Sequence, residues 1–180
     1  MAGSEALVQT VREAVGDGLL GVDEDRAGTP VLIVERDFIR EVCRLLRDGD
    51  WKYVHLSGVW GVDYLAMGLE PRFAVVYYLY SPSLRQRIAI KVPVEESDAV
   101  VPSVVELFPG ANWHERETFD MYGIRFDGHP NLTRILMPDD ADFHPLRKDV
   151  PIGGEAVEFT HNSARLRRQR AGEPPKASLN

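Results

Sequence analysis

The sequence has a single cysteine and no long hydrophobic run. Cys43 alone cannot form an internal disulfide, nor can it supply the four thiolates that an iron–sulfur cluster usually needs. The apolar stretch at residues 74–80 is much shorter than the roughly 18–20 residues required to cross a bilayer. The first residues include acids and lack an apolar signal core, which argues against secretion or organelle import. We therefore expect a soluble chain that faces the cytoplasm and carries no redox centre of its own.

Basic residues are scarce outside the C-terminal end of the chain. The formal net charge is −7, but residues 161–180 carry five basic side chains and one acidic one, which leaves −11 for residues 1–160. An acidic body repels the phosphate backbone, so the composition argues against nucleic-acid binding. The basic end is rich in Arg, Pro and Ser and lacks apolar periodicity, which predicts a tail that is disordered or is ordered by a partner.

Apolar spacing predicts regular elements along the first half of the chain. Asp37 is expected to cap the second helix, and a Ser-Pro-Ser turn is expected to join the last two strands as an antiparallel hairpin. The expected elements are, in order, a helix, a strand, a helix and three strands, at residues 5–15, 31–35, 38–47, 53–57, 72–80 and 84–94.

Two further helices are predicted between residues 100 and 123. A short one is expected in Val100–Phe108, after Pro102. The second has Asn112 and Glu115 spaced like the two side chains of a capping box, and Gly123 in the position where glycine commonly ends a helix.

Residues 124–160 show neither helical nor strand periodicity. Their prolines exclude long regular elements. The segment nevertheless contains apolar residues that need to be covered, namely Ile124, Phe126, Leu132, Ile135, Leu136, Met137, Phe143 and Leu146. An irregular stretch of this length is uncommon inside a compact domain. We therefore expect it to lie along another protein, which supplies the missing core.

Two sequence patterns suggest nucleotide or metal binding, and their context argues against both. GDGLLG at 16–21 matches Gly-x-Gly-x-x-Gly, but the predicted order places a helix before it and an acidic loop after it, whereas the nucleotide motif requires strand and then helix. His114 and Glu117 have ligand-like spacing, with His129 beyond them, but position 118 is Thr118 where a zinc protease would have a second histidine.

The charges of residues 115–120 favour docking over catalysis. Glu117 and Asp120 flank Trp113 on a helical wheel, so charge is interleaved with aromatic side chains as in a semi-buried interface. No nucleophile or oxyanion donor set can be assembled around them. The run HPLRKDVP adds Arg147, which is suited to a partner carboxylate. The predicted interface residues are Glu115, Arg116, Glu117, Asp120, His129, Arg134, His144, Pro145, Arg147, Lys148 and Asp149.

Several of these stretches together resemble a known family. ERETFDMYGIRFDGHPNLTRIL at 115–136 and HPLRKDVP at 144–151 closely resemble the signature of the C subunit of respiratory complex I, the NADH:quinone oxidoreductase. The likeness extends upstream through VERDFIREVCRLLRDGD, GVDY, RFAVVYYLYS and VPSVVELFPGANWHERE, and it covers roughly residues 30–152. One departure is Thr133, where a basic residue is expected.

The resemblance implies an α+β fold. A two-layer domain with a mixed β-sheet and flanking helices would occupy residues 1–123, an extended partner-wrapping segment 124–160, and the basic tail 161–180. It further implies a cofactor-free member of the peripheral arm that docks on the D and B subunits and supports the assembly and geometry of the quinone-reducing module. Iron–sulfur clusters, FMN, NADH and quinone would belong to partner subunits, and the membrane would be reached only through the complex.

Two alternatives remain open. Related subunits occur in ferredoxin-, coenzyme F420- and hydrogenase-linked membrane complexes, which share the architecture and differ in the electron donor. An alternative of another class is a standalone metal-dependent enzyme that uses His114, Glu117 and His129.

Overall fold

The computed structural model of the chain describes residues 2–150. The helices and strands are, in chain order, α1 (Ala2–Val15), β1 (Leu19–Glu24), β2 (Pro30–Val34), α2 (Ile39–Asp48), β3 (His55–Asp63), β4 (Phe73–Ser81), β5 (Gln86–Val94), β6 (Val100–Pro102), α3 (Ala111–Tyr122) and β7 (Arg125–Asp127). The predicted tail at 161–180 and residues 151–160 of the predicted extended segment lie outside the described residues.

Five strands form one mixed sheet. Their order is β1-β2-β5-β4-β3, with β2 and β5 parallel and the other neighbours antiparallel. The predicted hairpin of β4 and β5 is confirmed, with Tyr77 opposite Ile90. A separate parallel pair is formed by β6 and β7. The mixed sheet with flanking helices confirms the α+β fold.

One face of the sheet packs against the helices. On β4 the side chains on this inner face are completely buried, and they are Phe73, Val75, Tyr77 and Leu79. The helices complete this core with residues at helical spacing, namely Leu7, Val11 and Val15 from α1 and Ile39, Val42, Cys43 and Leu46 from α2. Each buried aliphatic side chain contributes about 1.5–3 kcal/mol, so these periodic positions select the helices that the sequence predicts. No helix within residues 2–150 is both long and apolar enough to span a membrane.

Both side-chain caps predicted for the helices are wrong. Asp37 lies in a 3₁₀ turn that leads directly into α2, and its side chain makes no capping hydrogen bond. The N-cap position of α3 is Gly110, which has no side chain, and the predicted cap Asn112 lies inside the helix. Glu115, the other member of the predicted capping box, bonds to Ser103.

Three short strands differ from what the sequence predicts. β1 lies where an acidic loop is expected, and it pairs along β2 at the edge of the sheet with Leu20 and Val22 exposed. The short helix predicted after Pro102 is wrong, because residues 103–108 form a turn that follows the strand β6. β6 pairs with β7, a contact between distant parts of the chain that a local period cannot indicate.

After β7 the described chain continues as an irregular segment, residues 128–150, which we call the strap. The strap folds back on its own chain: the Leu146 N–H donates to the Met121 carbonyl at 3.1 Å. Ile124 and Phe126, which precede it, are buried in the chain's own core at 0 % and 3 % exposure. For these two residues the expectation that a partner supplies the cover is wrong.

A glycine sets the distance between α3 and the sheet. A Cβ built on Gly61 of β3 would come within 2.5 Å of the Tyr122 ring. Gly61→Ala should therefore lower the free energy of unfolding by about 1–3 kcal/mol, because α3 must move away from β3. Urea denaturation of the purified wild-type and Gly61→Ala chains measures the difference in the free energy of unfolding.

Gly21→Ala is the matched control in β1, where the added Cβ meets only Ile33 at 3.6 Å. Its stability should equal or exceed that of the wild type, since glycine weakens a strand by roughly 0.5–1 kcal/mol. Equal stability of the two variants would contradict the close α3–β3 contact.

Candidate partner interface on α3 and the strap

The helix α3 carries the first half of the predicted interface, and it ends where the sequence indicates. Gly123 adopts the left-handed conformation with φ 78°, and its N–H donates to the Phe119 carbonyl at 2.8 Å. A Cβ at this position would come within 2.7 Å of the His144 ring. Glycine therefore both ends the helix and lets the strap approach it.

Glu115 is used inside the chain. Its side chain is completely buried, and its carboxylate accepts hydrogen bonds from the Ser103 hydroxyl at 2.6 Å and the Val104 N–H at 2.8 Å. Burial raises the pKa of Glu115 to about 7, although both hydrogen bonds act in the opposite direction. The carboxyl group joins α3 to the loop after β6, and none of its surface is available to a partner.

Asp120 organises the strap. One of its oxygens accepts hydrogen bonds from three consecutive backbone N–H groups, those of Ile135 at 3.0 Å, Leu136 at 2.7 Å and Met137 at 2.9 Å. The other accepts from the Arg134 guanidinium at 2.7 Å. Burial by itself would raise the pKa of Asp120, but these four donors outweigh it and lower the pKa to about 2. Asp120 is therefore ionised and structural at neutral pH.

Further polar side chains hold the strap along α3. The Arg147 guanidinium donates to the Tyr122 carbonyl at 2.8 Å, and the ring of His144 bonds to the Asp120 carbonyl at 2.9 Å. Arg116 donates to the backbone carbonyl of Thr133 at 3.0 Å and to its hydroxyl at 2.9 Å. Most of the predicted docking charges thus first serve contacts within the chain.

The end of the strap is held by a second cluster centred on Arg72. The Arg72 guanidinium is 7 % exposed and pairs with Asp63 at 2.9 Å, Asp149 at 2.8 Å and Glu96. The Lys148 N–H also donates to the Asp63 carboxylate at 2.9 Å. Burial opposes ionisation of Asp63, yet the hydrogen bonds from the Arg72 guanidinium and from the backbone N–H groups of Lys148 and Leu65 lower its pKa to about 2.

Three large apolar side chains of α3 and the strap remain exposed beside charged ones. Trp113 is 64 % exposed, Leu136 62 % and Leu146 45 %. Glu117 and Lys148 are exposed charges on the same two segments, and no hydrogen bond or ion pair of the Glu117 side chain is found within residues 2–150. We call this surface the α3–strap surface, and define it by Trp113, Glu117, Leu136, Leu146 and Lys148.

The structure brings most of the predicted interface residues together, but most of them make contacts within the chain. His129 bonds to the Asn112 carbonyl at 3.2 Å, and Pro145 is half-buried beside His144. Sequence reasoning does not single out Asp63 and Arg72. The available signal is their position in GVDY and RFAVVYYLYS, two of the stretches that carry the family resemblance.

The alternative metal site is not assembled in the described part of the chain. Within residues 2–150 no group of three or more His, Cys, Asp or Glu side chains is arranged to hold a metal ion. The geometry therefore gives no support to a metal centre built from His114, Glu117 and His129.

Comparison with known proteins identifies the relatives of the chain. Residues 32–156 match the family described as respiratory-chain NADH dehydrogenase, 30 kDa subunit. The C subunit of NADH-quinone oxidoreductase from Roseiflexus castenholzii is 54 % identical over 157 residues, which cover 87 % of this chain and 88 % of that relative. The C/D subunit of the same enzyme from Edwardsiella ictaluri is 42 % identical over 160 residues, which cover 86 % of this chain and 26 % of that longer protein.

Two solved structures share the fold. A trypsin-resistant fragment of Nqo5 aligns with a TM-score of 0.61 at 32 % identity and covers 70 % of this chain and 98 % of the fragment. A chain of the membrane-bound sulfane sulfur reductase, an archaeal respiratory membrane complex, aligns with a TM-score of 0.68 at 18 % identity over 99 % of this chain and 96 % of that one, which shows the fold alone.

By these matches the chain is of the class of proteins that are components of a respiratory oxidoreductase complex. The chain belongs to the 30 kDa subunit family of the respiratory-chain NADH dehydrogenase, the family that contains the C subunit of NADH-quinone oxidoreductase, or complex I.

The buried Glu115 should make stability depend on pH. The folded chain keeps the proton of Glu115 up to about pH 7, whereas the unfolded chain loses it near its usual pKa of 4.5. The folded state binds more protons in this window, so stability falls as pH rises through it. Glu115→Gln removes that loss, and its stability relative to the wild type should increase by up to roughly 3 kcal/mol between about pH 5 and pH 8.

Urea denaturation across this pH range provides the measurement. Glu106→Gln, at an exposed glutamate in the loop before α3, is the matched control and should follow the wild-type profile. Parallel profiles for Glu115→Gln and the wild type would show that Glu115 titrates normally in the folded chain.

Asp120→Asn should release the strap. The amide has only one acceptor oxygen for four donors, and its NH₂ group would face Arg134 or the strap N–H groups. We expect a loss of about 3 kcal/mol in the free energy of unfolding and faster proteolysis within residues 128–150.

Asp139→Asn, at an exposed position of the same strap, is the control for this experiment and should behave as the wild type. Denaturant titration and limited proteolysis with mass spectrometry report the two effects. A wild-type cleavage pattern in Asp120→Asn would show that other contacts hold the strap.

Proposed function

We propose that this chain is a non-catalytic docking component of the peripheral arm of NADH:quinone oxidoreductase. Through the D and B subunits it would support assembly and the geometry of the quinone-reducing module. The observation that carries this proposal is the α3–strap surface, on which Trp113 and Leu136 remain 64 % and 62 % exposed after the strap has folded back. Large apolar side chains that stay exposed next to exposed charges are typical of protein interfaces.

Contact with the D subunit is supported by the composition of one relative. The counterpart of this chain in Edwardsiella ictaluri is part of a protein named as a C/D subunit, in which the aligned region is 26 % of the length. Joining two subunits in one polypeptide keeps them side by side at high effective concentration. We infer that the separate chain meets the D subunit through the α3–strap surface.

The interior of the chain supports a structural role. The carboxylate oxygens of Glu115 accept a hydrogen bond from Ser103, and those of Asp120 accept hydrogen bonds from strap N–H groups, so neither carboxylate is free for acid–base chemistry. Burial raises the pKa of Cys43, so its thiol is a poor nucleophile or ligand. In this proposal the iron–sulfur clusters, FMN, NADH and quinone are bound by partner subunits. The chain itself lies on the cytoplasmic side and reaches the membrane through them.

The α3–strap surface can be tested by assembly. Trp113→Ser and Glu117→Ala change exposed side chains, and each should weaken association with the D and B subunits. Trp113→Ser also removes the contact of the ring with the Arg116 guanidinium at 5.2 Å, so thermal unfolding of each isolated variant is the control for a retained fold. We expect Trp113→Ser to reduce incorporation into the complex by about tenfold or more, because an aromatic side chain that a partner covers is often a main contributor to affinity. Glu117→Ala should reduce incorporation by a few-fold.

The measurement is co-purification with a tagged chain in mild detergent, with the bound subunits identified and quantified by mass spectrometry. Leu84→Ser, an exposed apolar position in the β4–β5 turn, is the matched control. The same co-purification identifies the electron-input subunits and so separates the NADH enzyme from complexes with another donor. Wild-type amounts of the D and B subunits on Trp113→Ser would refute docking through this surface.

A further inference from the structure

The face of the five-stranded sheet that points away from the helices is only partly covered in the described chain: Ala74 and Ala89 are buried, whereas Trp60 is exposed. Its side chains form cross-strand rows, because paired residues point to the same side. The central row runs Ile33, Lys91, Val76 and Trp60 from β2 to β3. One flanking row consists of Val31, Ala89 and Tyr78. The other consists of Pro93, Ala74 and Val62. We call these three rows the open sheet face.

The composition of this face is unusual for a surface in contact with water. A strand with one wet face alternates apolar and polar residues, whereas strands covered on both faces read as continuous apolar runs. On β4 the outward residues Ala74, Val76 and Tyr78 are as apolar as the inward ones. Trp60 at the end of the central row is 47 % exposed. The sequence of β4 is thus that of a strand with cover on both sides.

Lys91 is the cation at the centre of this apolar face. Its ammonium group lies 4.8 Å from the centre of the Tyr64 ring, and no carboxylate within residues 2–150 lies within 4 Å of it. Beside it is a cleft of about 230 Å³, whose lining includes Tyr64, Leu69, Glu70, Pro71 and Pro93. Glu70 borders the cleft but does not pair with Lys91.

We propose that the open sheet face is a second docking surface, taken by a neighbouring subunit that presents an apolar surface with one carboxylate. The carboxylate pairs with Lys91, and a bulky apolar side chain next to it fills the cleft. Covering a lysine without a counter-charge would leave a buried, unpaired ammonium group, which costs several kcal/mol. The charge of the face therefore specifies the charge of its occupant.

Two other occupants fit the face less well. A second copy of this chain, placed across a two-fold axis through the centre of the face, would bring two Lys91 ammonium groups together. An anionic membrane surface would meet one central cation next to the exposed acids Glu70, Glu95 and Glu96. The proposal rests on the chain being part of a multi-subunit complex, and it does not depend on docking by the α3–strap surface.

Lysine labelling of the intact complex tests the proposal. The sequence has four lysines, Lys52, Lys91, Lys148 and Lys176. An amine-acetylating reagent is applied to the purified chain and to the assembled complex, and the rate at each lysine is read by mass spectrometry. Lys91 should react at least about tenfold more slowly in the complex. Lys52, at the turn before β3, is the reference, and Lys148 reports separately on the α3–strap surface.

Substitutions test the partner's carboxylate. Lys91→Glu and Lys91→Met should each lower incorporation into the complex by about tenfold or more, the first by repulsion and the second by leaving the partner's carboxylate unpaired. Lys91→Arg should restore most of it. Lys52→Glu is the matched charge reversal and should assemble as the wild type. Thermal unfolding of each isolated variant shows that the fold is retained.

Three outcomes would overturn the proposal. Equal labelling of Lys91 in the free chain and the complex would mean that the face stays open. Wild-type incorporation of Lys91→Met would exclude a carboxylate partner. A free chain that sediments as a dimer with Lys91 protected would assign the face to a second copy of the chain. Protection of Lys148 without that of Lys91 would leave the proposed function intact and refute this inference alone.

Discussion

The completely buried carboxylate of Asp120 determines how the last part of the described chain is arranged. Irregular backbone offers no periodic partners to its own N–H groups, and each one left unpaired in a buried position costs about 1–3 kcal/mol. Asp120 satisfies three consecutive N–H groups at 135–137 and the guanidinium of Arg134. Because α3 holds this carboxylate in place, the strap takes a defined path without forming a helix or a strand.

The same arrangement decides which side chains of α3 and the strap remain exposed. Charges suited to ion pairs with a partner, such as Asp120, Arg134 and Arg147, are already paired or hydrogen-bonded within the chain. On the α3–strap surface the apolar side chains of Trp113 and Leu136 are consequently exposed, together with the charged side chains of Glu117 and Lys148. In such an interface apolar contact supplies most of the affinity, and the rim charges select orientation and partner.

The face of the five-stranded sheet that points away from the helices is a second candidate docking surface. The inner face of the sheet carries the core shared with the helices, and the three rows of the open sheet face are apolar except for Lys91. The cluster of Arg72 with Asp63 and Asp149 ties the strap to the ends of β3 and β4, so the two candidate surfaces are parts of one folded unit. Under the proposed function, this unit would hold two neighbours in a set geometry.

Local periodicity in the sequence is sufficient to place α1, α2, the β4–β5 hairpin, and the end of α3 at Gly123. The family also follows from the sequence, because the signature residues stand at fixed spacing. Tertiary contacts alone account for β1, the β6–β7 pair, and the inward use of Glu115 and Asp120. The physical reason is that a carboxylate or a short strand obtains its partner from distant residues, and local spacing carries no information about which distant groups will meet.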